Sequence, residues 1–315
     1  MMKRFIIRAA ALLLIFAALI YAAGALYRGT DGWAGLEATE ETYKFHDVPD
    51  GITLAAAGSS HGIAAFRTSD LGEGFFNFSM SAQTPQYDLM MLRSVAGHIE
   101  DGATVILTVS YMSPFWTDTE ETFATKQNRY YRILPPDGIV DADLVRWCLG
   151  RFSPALTTDA KDIARALLAP RSAPADPDAV WTEGSVTEDM IPAERERVAR
   201  DHLTLITPAM PDGNPVMLAS YGDILALCRE RGWKPVLVTP PYPREYTECF
   251  PDDVLAAFRS LMTELARENG VEWLDHSCDE GYPLAYFRDL DHLNEEGAHA
   301  FSAVLLAELA ELGLR

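Results

Sequence analysis

One strand–helix–strand unit in the C-terminal third constrains the fold of this chain more than any other feature. The apolar run PVLVT at residues 235–239 follows a helical segment that ends at Gly232, and a second short apolar run occupies residues 271–274. Between them, residues 252–269 carry apolar side chains at helical spacing, and Gly270 ends that pattern. Two strands joined by a helical crossover pair in parallel. The unit therefore predicts a parallel sheet covered by helices.

The rest of the chain repeats this alternation and extends the predicted sheet. Residues 53–57 and 105–109 are further strand candidates, and the second is apolar and β-branched enough for a buried central strand. A final helix is predicted over residues 295–312, with Asn294 as its N-cap and Gly313 beyond its end. A chain of 315 residues that is 48% hydrophobic can bury one sizeable core. We predict an α/β fold, a three-layer α/β/α sandwich with a mainly parallel sheet.

The middle of the chain differs from the rest. Between about residues 116 and 214, strand patterns are absent, and helical stretches alternate with a passage rich in Pro, Ala and Asp. We interpret residues 116–214 as a helical insertion. Insertions in open α/β sheets often emerge at the carboxyl ends of strands, where ligands bind. A substrate-covering lid and an excursion without ligand contact are both consistent with this pattern.

The N-terminus is almost wholly apolar from Phe5 to Tyr27. Its uninterrupted part, residues 9–27, would be roughly 28 Å long as a helix, close to the ~30 Å hydrocarbon core of a membrane. Basic residues precede the segment and acidic residues follow it, so the positive-inside rule places the N-terminus in the cytoplasm. The basic residues are Lys3, Arg4 and Arg8, and the acidic residues are Asp31, Glu37, Glu40 and Glu41.

These observations predict three regions. A transmembrane signal anchor occupies residues 1–28, a polar linker residues 29–50, and an extracytoplasmic domain residues 51–315. The alternative is a cleaved signal peptide, because residues 23–25 read Ala-Gly-Ala, an A-x-A arrangement. The domain would then be secreted, and it lies outside the cytoplasm in both cases.

Charge and cysteine content limit the partners and the covalent structure. A net charge of −20 with only 26 basic residues argues against nucleic acid as a partner, because nucleic acid requires a basic footprint. An extracytoplasmic location permits disulfides, and four cysteines allow three complete pairings as well as free thiols. The cysteines are Cys148, Cys228, Cys249 and Cys278.

The first candidate catalytic block is Gly58-Ser59-Ser60-His61-Gly62, directly after the predicted strand at residues 53–57. A serine on a strand-to-helix turn is held with its Oγ above the edge of the sheet, next to backbone N–H groups that can bind an oxyanion. Turns of small residues after strands are common. The block alone therefore does not distinguish a nucleophile from a structural turn.

The second block is Asp289-Leu290-Asp291-His292, just before the last predicted helix. Its three-residue spacing lets the carboxylate of Asp289 reach a ring N–H of His292, which would set the tautomer of a general base. Taken alone, the histidine is equally consistent with a hydrogen-bonded loop.

Together the two blocks resemble the SGNH/GDSL hydrolase superfamily, over residues 54–315. The chain is most similar to membrane-anchored bacterial members that carry G-S-S-H in place of G-D-S, distantly like the teichoic acid D-alanyl transfer protein and the alginate O-acetylation proteins. The resemblance implies a flavodoxin-like sheet. It also implies that Ser60 is the nucleophile, His292 the base and Asp289 the carboxylate that orients the base.

The family pattern takes oxyanion donors from a glycine in a second block and an asparagine in a third, and the chain departs from it at both places. The second block corresponds to residues 77–83, with Ala82 in place of the glycine, and its N–H can still donate if its φ is negative. The third block has no G-x-N-D, and the hydroxyls of Ser110 or Ser113 are alternative donors. Asn77 is a further candidate, although an asparagine at a strand end is typical of turns.

Other candidate contacts are few. His61, Tyr111 and Trp116 are candidates for substrate binding, since aromatic faces stack on sugar rings, although such residues more often belong to a core. Neither H-E-x-x-H nor a tetrahedral Cys/His set is present, so we predict no metal. We also predict no cofactor, because the chain has no phosphate-binding glycine motif.

We therefore expect an extracytoplasmic serine esterase or O-acyltransferase. The resemblance implies that it acts on acyl, chiefly acetyl, esters of cell-envelope polysaccharide or on another small acylated substrate, with a membrane-bound acyl-transfer protein as a candidate partner. The alternative is a catalytically degenerate glycan-binding or scaffold component of an envelope polysaccharide modification system. The missing glycine and asparagine favour that alternative, and the complete Ser, His and Asp set argues against it.

Overall fold

The computed structural model describes residues 2–30, 41–46, 48–158, 160–168 and 184–315. Three of the acidic residues after the apolar segment and the Pro-rich passage of the predicted insertion lie outside these residues. The chain forms two compact units. We call Met1–His46 with Gln127–Pro177 the N-terminal unit, and Asp47–Lys126 with Asp178–Arg315 the α/β unit.

The α/β unit is built on a five-stranded parallel sheet with helices on both sides. Its strand order is β2-β1-β3-β4-β5, which is the flavodoxin-like order, and the order reverses between β1 and β3. The prediction of an α/β fold with a parallel sheet is confirmed. The strands are β1 Ile52–Ala57, β2 Phe75–Asn77, β3 Ile99–Thr108, β4 Lys234–Thr239 and β5 Trp273–Asp275.

The helices account for most of the remaining described residues. In chain order they are α1 Met2–Arg28, α2 Ser60–Ala65, α3 Thr68–Leu71, α4 Pro85–Ser94, α5 Glu120–Ile133, α6 Leu144–Phe152, α7 Ala160–Leu168, α8 Ile191–Val198, α9 Thr204–Ile206, α10 Pro215–Arg231, α11 Arg244–Thr247, α12 Asp252–Asn269 and α13 Glu295–Glu311. A wide helical turn at Ala199–Leu203 joins α8 to α9. Single tight turns lie at Tyr43–His46, Pro136–Gly138, Pro154–Leu156, Glu188–Met190, Thr207–Ala209 and Leu284–Tyr286.

The core lies on the two faces of the central strands. Residues 105–107 of β3 are buried on both faces, as a parallel sheet covered by helices requires. Helices α2 and α3 pack with α13, whereas α10 packs with α4 and α12. Each buried Val, Ile or Leu in such a core stabilises the fold by roughly 1.5–3 kcal/mol.

The predicted helix ends agree with the structure because glycines end the helices. Gly232 and Gly270 follow α10 and α12 with φ of 70° and 63°, the left-handed conformation that glycine adopts without strain. Asn294 caps α13 by accepting a hydrogen bond from the N–H of Gly297. No range was predicted for β2, which has three residues, although Asn77 was expected at a strand end. Among the described residues between 116 and 214 there are helices and no strand.

The N-terminal unit contains the long helix α1. Its 27 residues reach a mean hydropathy of 2.4 over their most apolar window, so by length and composition α1 can cross a membrane. A membrane anchor and a signal sequence share this property. None of the four cysteines forms a disulfide.

Candidate functional site

Ser60 lies on the turn between β1 and α2, at the carboxyl edge of the sheet. Gly58 has a φ of +146°, and a Cβ there would lie 2.5 Å from Cβ of Thr108. A Cβ on Gly62 would lie 2.7 Å from the Oγ1 of Thr108. Glycine is therefore required at both positions for the turn to approach β3 this closely. As a result Ser60 begins α2 and stays partly open to solvent.

Asp289 and His292 are held by a tight loop before α13. Phe287 and Leu293 form an antiparallel bridge across the base of the loop, and the N–H of Arg288 donates to the carbonyl of His292 at 3.0 Å. The carboxylate of Asp289 turns back and accepts the backbone N–H of His292 at 2.9 Å. Asp is well suited to this position, because its short side chain can bond to its own loop.

The structure brings Ser60, Asp289 and His292 together across 232 positions of the chain. The Oγ of Ser60 is 2.8 Å from the Nε2 of His292, and the Nδ1 of His292 is 2.9 and 3.0 Å from the two carboxylate oxygens of Asp289. With the ring proton on Nδ1 and bonded to the carboxylate, Nε2 is the ring atom that can accept the hydroxyl proton. This chain of hydrogen bonds has the geometry that an activated serine nucleophile requires.

A second carboxylate, Asp291, lies in contact with three imidazoles. It is 3% exposed, and its Oδ2 is 3.3 Å from the Nε2 of His61, 3.5 Å from the Nε2 of His202 and 3.6 Å from the Nδ1 of His292. The guanidinium of Arg197 donates to its other oxygen. Asp291 lies inside the second block, but no role was predicted for it. Arg197 is 94 positions away, and no local pattern indicates it.

The charges of these groups depend on one another. Burial disfavours an imidazolium at His292, but the carboxylates of Asp291 and Asp289 outweigh it and raise the pKa of His292. Burial lowers the pKa of His61, and it lowers that of His202 to about 4. Burial alone would raise the pKa of Asp291, yet the charge of His292 and the hydrogen bond from His61 hold this pKa well below its usual range. The cluster therefore favours one ionised carboxylate beside a base of raised pKa.

The three candidate substrate contacts are built into the interior instead. His61 is 4% exposed, and its two ring nitrogens face Asp291 and the hydroxyl of Tyr242, the latter at 3.2 Å. Tyr111 is fully buried and stacks on the ring of Tyr246. Trp116 is 8% exposed, and its Nε1 donates to Asp118 at 2.7 Å. None of these candidates presents a free face to a substrate, because packing and hydrogen bonds within the fold already use them.

Asn77 is occupied within the fold as well. Its Nδ2 donates to the carbonyls of Gly62 and Phe66 at 2.9 and 3.0 Å, and its Oδ1 accepts the N–H of Ser79 at 3.0 Å. Both amide protons are therefore used, and the side chain ties β2 to α2. This corrects the suggestion that Asn77 donates to an oxyanion.

The serine candidates after β3 bond to each other. The Oγ atoms of Ser110 and Ser113 are 3.0 Å apart, and the N–H of Ser110 donates to the Oγ of Ser113 at 2.9 Å. Both residues are buried. These bonds close the turn after β3, so the hydroxyls hold that turn instead of pointing to a substrate.

Ala82 differs from the other candidates. Its φ is +49°, so the condition of a negative φ that we set for it is not met. This left-handed conformation is costly for alanine, whereas glycine adopts it without strain. The N–H of the nearby Met80 donates to the carbonyl of Gly58 at 3.1 Å, which holds the segment beside the turn of Ser60.

A buried acid, Asp88, contacts the turn that carries Ser60. Asp88 is 3% exposed and accepts a hydrogen bond from the Nε2 of Gln83 at 2.7 Å, and the backbone of Gly58 also bonds to its carboxyl. Burial raises the pKa of Asp88 to about 7. In the sequence Asp88 is one polar position within a helix, and no local pattern indicates its role.

Within the part of the chain that the structure describes, two sets of side chains offer ligand atoms within 4.8 Å of one another: His61, Asp291 and His292, and Glu194, Asp289 and Asp291. In the first set each imidazole nitrogen already faces a protein oxygen. In the second set, the guanidinium of Arg197 contacts all three carboxylates and supplies the positive charge. We therefore interpret both sets as hydrogen-bonded and ion-paired groups. The absence of a functional metal stays a prediction.

No protein-family profile and no curated protein matches the chain. Among solved structures the chain is similar to the protein YxiM of Bacillus subtilis, with 14% sequence identity and a TM-score of 0.39. The match covers 84% of this chain and 58% of YxiM, so the chain spans less than two thirds of that protein.

Proposed function

We propose that the α/β unit is a serine ester hydrolase or O-acyltransferase that works through an acyl-serine intermediate. The observation that carries the proposal is the chain of hydrogen bonds from Ser60 through His292 to Asp289. The Oγ of Ser60 attacks the carbonyl carbon of an ester while the Nε2 of His292 takes the hydroxyl proton. The carbon–oxygen bond to the alcohol then breaks, and His292 returns the proton to the leaving oxygen.

The second half of the reaction reverses these roles. His292 takes a proton from water or from a sugar hydroxyl, and the resulting oxygen nucleophile attacks the acyl carbon on Ser60. The bond to Oγ breaks, and the proton returns from His292 to Ser60. Hydrolysis and transfer thus use the same residues and differ in which acceptor reaches the acyl group.

Backbone N–H groups are the proposed oxyanion donors. The amides at the start of α2 lie beside the Oγ of Ser60, and the first N–H groups of a helix have no partner within it. The N–H of Ala82 is the second proposed donor even though its φ is positive, because its segment is bound to Gly58 and the sign of φ does not remove a backbone N–H. The alanine does not remove this donor, since a backbone N–H is common to both residues.

Family, substrate and location are proposed on the resemblance to anchored SGNH/GDSL proteins. The proposed substrates are short acyl esters, chiefly acetyl esters, of cell-envelope polysaccharide. The acidic chain would act outside the cytoplasm next to a membrane-bound acyl-transfer partner. The apolar helix α1 supports a membrane or export signal at the N-terminus.

The test is esterase activity of the full chain in detergent on p-nitrophenyl acetate, beside Ser60→Ala, His292→Ala and Asp289→Asn. We expect activity to fall by about 10³-fold or more in the first two variants, because nucleophile and base act as one unit. Labelling of wild type by phenylmethylsulfonyl fluoride, absent from Ser60→Ala, is the second readout. Ser59→Ala is the matched control and should keep its activity.

A folded wild type that is no faster than Ser60→Ala, that is not labelled and that fails with a polysaccharide acceptor would contradict the proposal. That result would favour the non-catalytic glycan-binding alternative. Circular dichroism of every variant separates loss of chemistry from loss of fold.

A further inference from the structure

Helix α6 in the N-terminal unit exposes its apolar side. None of its residues is buried, and the exposed fractions of Leu144, Val145, Leu149 and Phe152 are 60%, 68%, 41% and 40%. At 100° per residue these side chains and Cys148 fall within one arc of about 140°. The helix therefore presents a continuous apolar face to its surroundings.

The other side of α6 makes the contacts within the unit. The indole Nε1 of Trp147 donates to the carbonyl of Leu134 at 3.1 Å, and the guanidinium of Arg146 lies 4.9 Å from the centre of the Tyr131 ring. A surface helix of a soluble protein turns its apolar side inward and its charges outward. A helix at a membrane interface does the opposite, because its apolar face enters the lipid.

The C-terminal end of α6 contacts α1. Ser153 is fully buried and its Oγ donates to the carbonyl of Ile20 at 3.0 Å, while the rings of Phe152 and Tyr21 are 5.7 Å apart. A Cβ on Gly24 would lie 2.9 Å from the Cβ of Ser153, so the contact depends on a residue without a side chain. Close approach at small residues and hydroxyl–carbonyl bonds are typical of helices that associate in lipid.

These contacts define where the C-terminal end of α6 lies along the length of α1. Along α1, Ile20 lies roughly 10 Å and Gly24 roughly 5 Å before Tyr27, where the apolar run ends. If α1 spans a hydrocarbon core of ~30 Å, Ser153 meets it just inside the boundary on the C-terminal side. An exposed apolar helix held at that depth faces acyl chains.

We propose that α1 is retained in the mature protein. We also propose that α6 is a lipid-binding interfacial helix and lies in the leaflet on the C-terminal side of α1. The occupant of the apolar face of α6 is the acyl-chain region of the bilayer. Cleavage after the Ala-Gly-Ala sequence at residues 23–25 would remove the groups of α1 that Ser153 and Phe152 contact. The N-terminal unit is thus a membrane anchor of two parts, and this inference goes beyond the proposed enzymatic function.

Two exposed cysteines of the chain can be labelled to test this arrangement. Cys148 is exposed on the apolar face of α6, and Cys278 is an exposed control in the α/β unit. Two full-length proteins are compared, and both carry Cys249→Ser. One also carries Cys278→Ser and the other Cys148→Ser, so that each keeps one exposed cysteine. Each protein is placed in phosphatidylcholine nanodiscs at one chain per nanodisc. A nitroxide on the remaining exposed cysteine reports collisions with oxygen, which is concentrated in lipid, and with a water-soluble nickel chelate. We expect the label at Cys148 to collide with oxygen and at least about tenfold less with nickel than the label at Cys278.

Equal nickel accessibility at Cys148 and Cys278 would overturn the interfacial position of α6. A single copy per nanodisc means that a second chain cannot cover the face. The intact mass of the protein purified from cell membranes tests retention: the full chain is expected, and a mass that lacks residues 1–25 would overturn it. Neither readout uses activity, so their failure is distinct from failure of the proposed esterase function.

Discussion

At the scale of single residues, the two carboxylates around His292 have different positions and different consequences. Asp289 is partly exposed, accepts bonds from its own loop and contacts Nδ1 directly. Asp291 is buried and shared among three imidazoles and Arg197. Asp289 therefore sets the orientation of the ring, whereas Asp291 chiefly sets its charge.

Asp291→Asn removes the largest of the interactions that raise the pKa of His292. A base whose pKa falls becomes neutral at lower pH, so the acid limb of the kcat/KM profile should move toward lower pH. The measurement is the pH dependence of p-nitrophenyl acetate hydrolysis by both proteins. Asp289→Asn is the comparison and should lose rate at every pH, because the ring loses its orienting partner. An acid limb that stays in place in folded Asp291→Asn protein would contradict this assignment.

Asn77→Ala should lower stability and spare the chemistry. The variant loses the bonds to Gly62 and Phe66, each worth about 1 kcal/mol, and leaves two carbonyls less satisfied. We expect a lower melting temperature and a kcat/KM within about threefold of wild type. A loss of 10²–10³-fold, the usual effect of removing an oxyanion donor, would restore Asn77 as a catalytic group.

Ala82→Gly should stabilise the protein. At a φ of +49°, the Cβ of alanine destabilises the folded state by roughly 1 kcal/mol relative to glycine. The greater backbone entropy of glycine in the unfolded chain offsets part of this gain. We expect a higher melting temperature with activity retained, since the N–H is unchanged. Ala82→Val is the matched control and should do the reverse, and a destabilised Ala82→Gly protein would be evidence against the strained conformation.

At the scale of elements, the turn between β1 and α2 is the part of the fold that depends most on its neighbours. Its glycines approach β3, Asn77 of β2 bonds to α2, and Asp88 of α4 supports it with Gln83. Three secondary-structure elements thus hold the loop that carries Ser60. Such support keeps a nucleophile in place without contacts from the substrate.

The buried carboxyl of Asp88 should make the stability of this region depend on pH. Its pKa in the folded state, about 7, is above the ordinary 3.8, so the folded state keeps a proton that the unfolded state has lost. The contribution of Asp88 to the free energy of unfolding is therefore complete below about pH 4, declines as pH rises toward 7 and stays low above it. Asp88→Asn removes the ionisation, so wild type should match the variant below about pH 4 and be less stable by up to roughly 4 kcal/mol well above pH 7.

Thermal unfolding of both proteins across this range measures the difference directly. Taking the difference cancels the opposite trend from His61 and His202, which resist protonation when folded. A constant difference between wild type and Asp88→Asn at all pH values would show that Asp88 is ionised at neutral pH in the folded protein.

At the scale of the whole molecule, a net charge of −20 produces a repulsive field for anions. Esters with an anionic acyl group, such as p-nitrophenyl succinate, should react more slowly at low salt, and added salt should raise their kcat/KM. The neutral p-nitrophenyl acetate should show no such rise. A decrease in kcat/KM for the anionic ester with added salt would mean that Arg197 dominates the field at the site.

The sequence by itself determined the features that depend on near neighbours in the chain. Helix ends at Gly232 and Gly270 follow from the backbone freedom of glycine, and the α/β class follows from apolar periodicity. The contact between Asp289 and His292 follows from their three-residue spacing. Pairing Ser60 with that block came from a family resemblance, and the structure places their side chains within hydrogen-bonding distance.

Only the tertiary structure decided which polar residues are free for chemistry and which hold the fold. Asn77, Tyr111, Trp116 and His61 were all candidates by residue type, and packing uses each of them inside the protein. The contacts of Asp291 with Arg197 and His202 join segments about ninety residues apart, and no local pattern encodes such a distance. The physical reason is that burial and hydrogen-bond partners are properties of the assembled core.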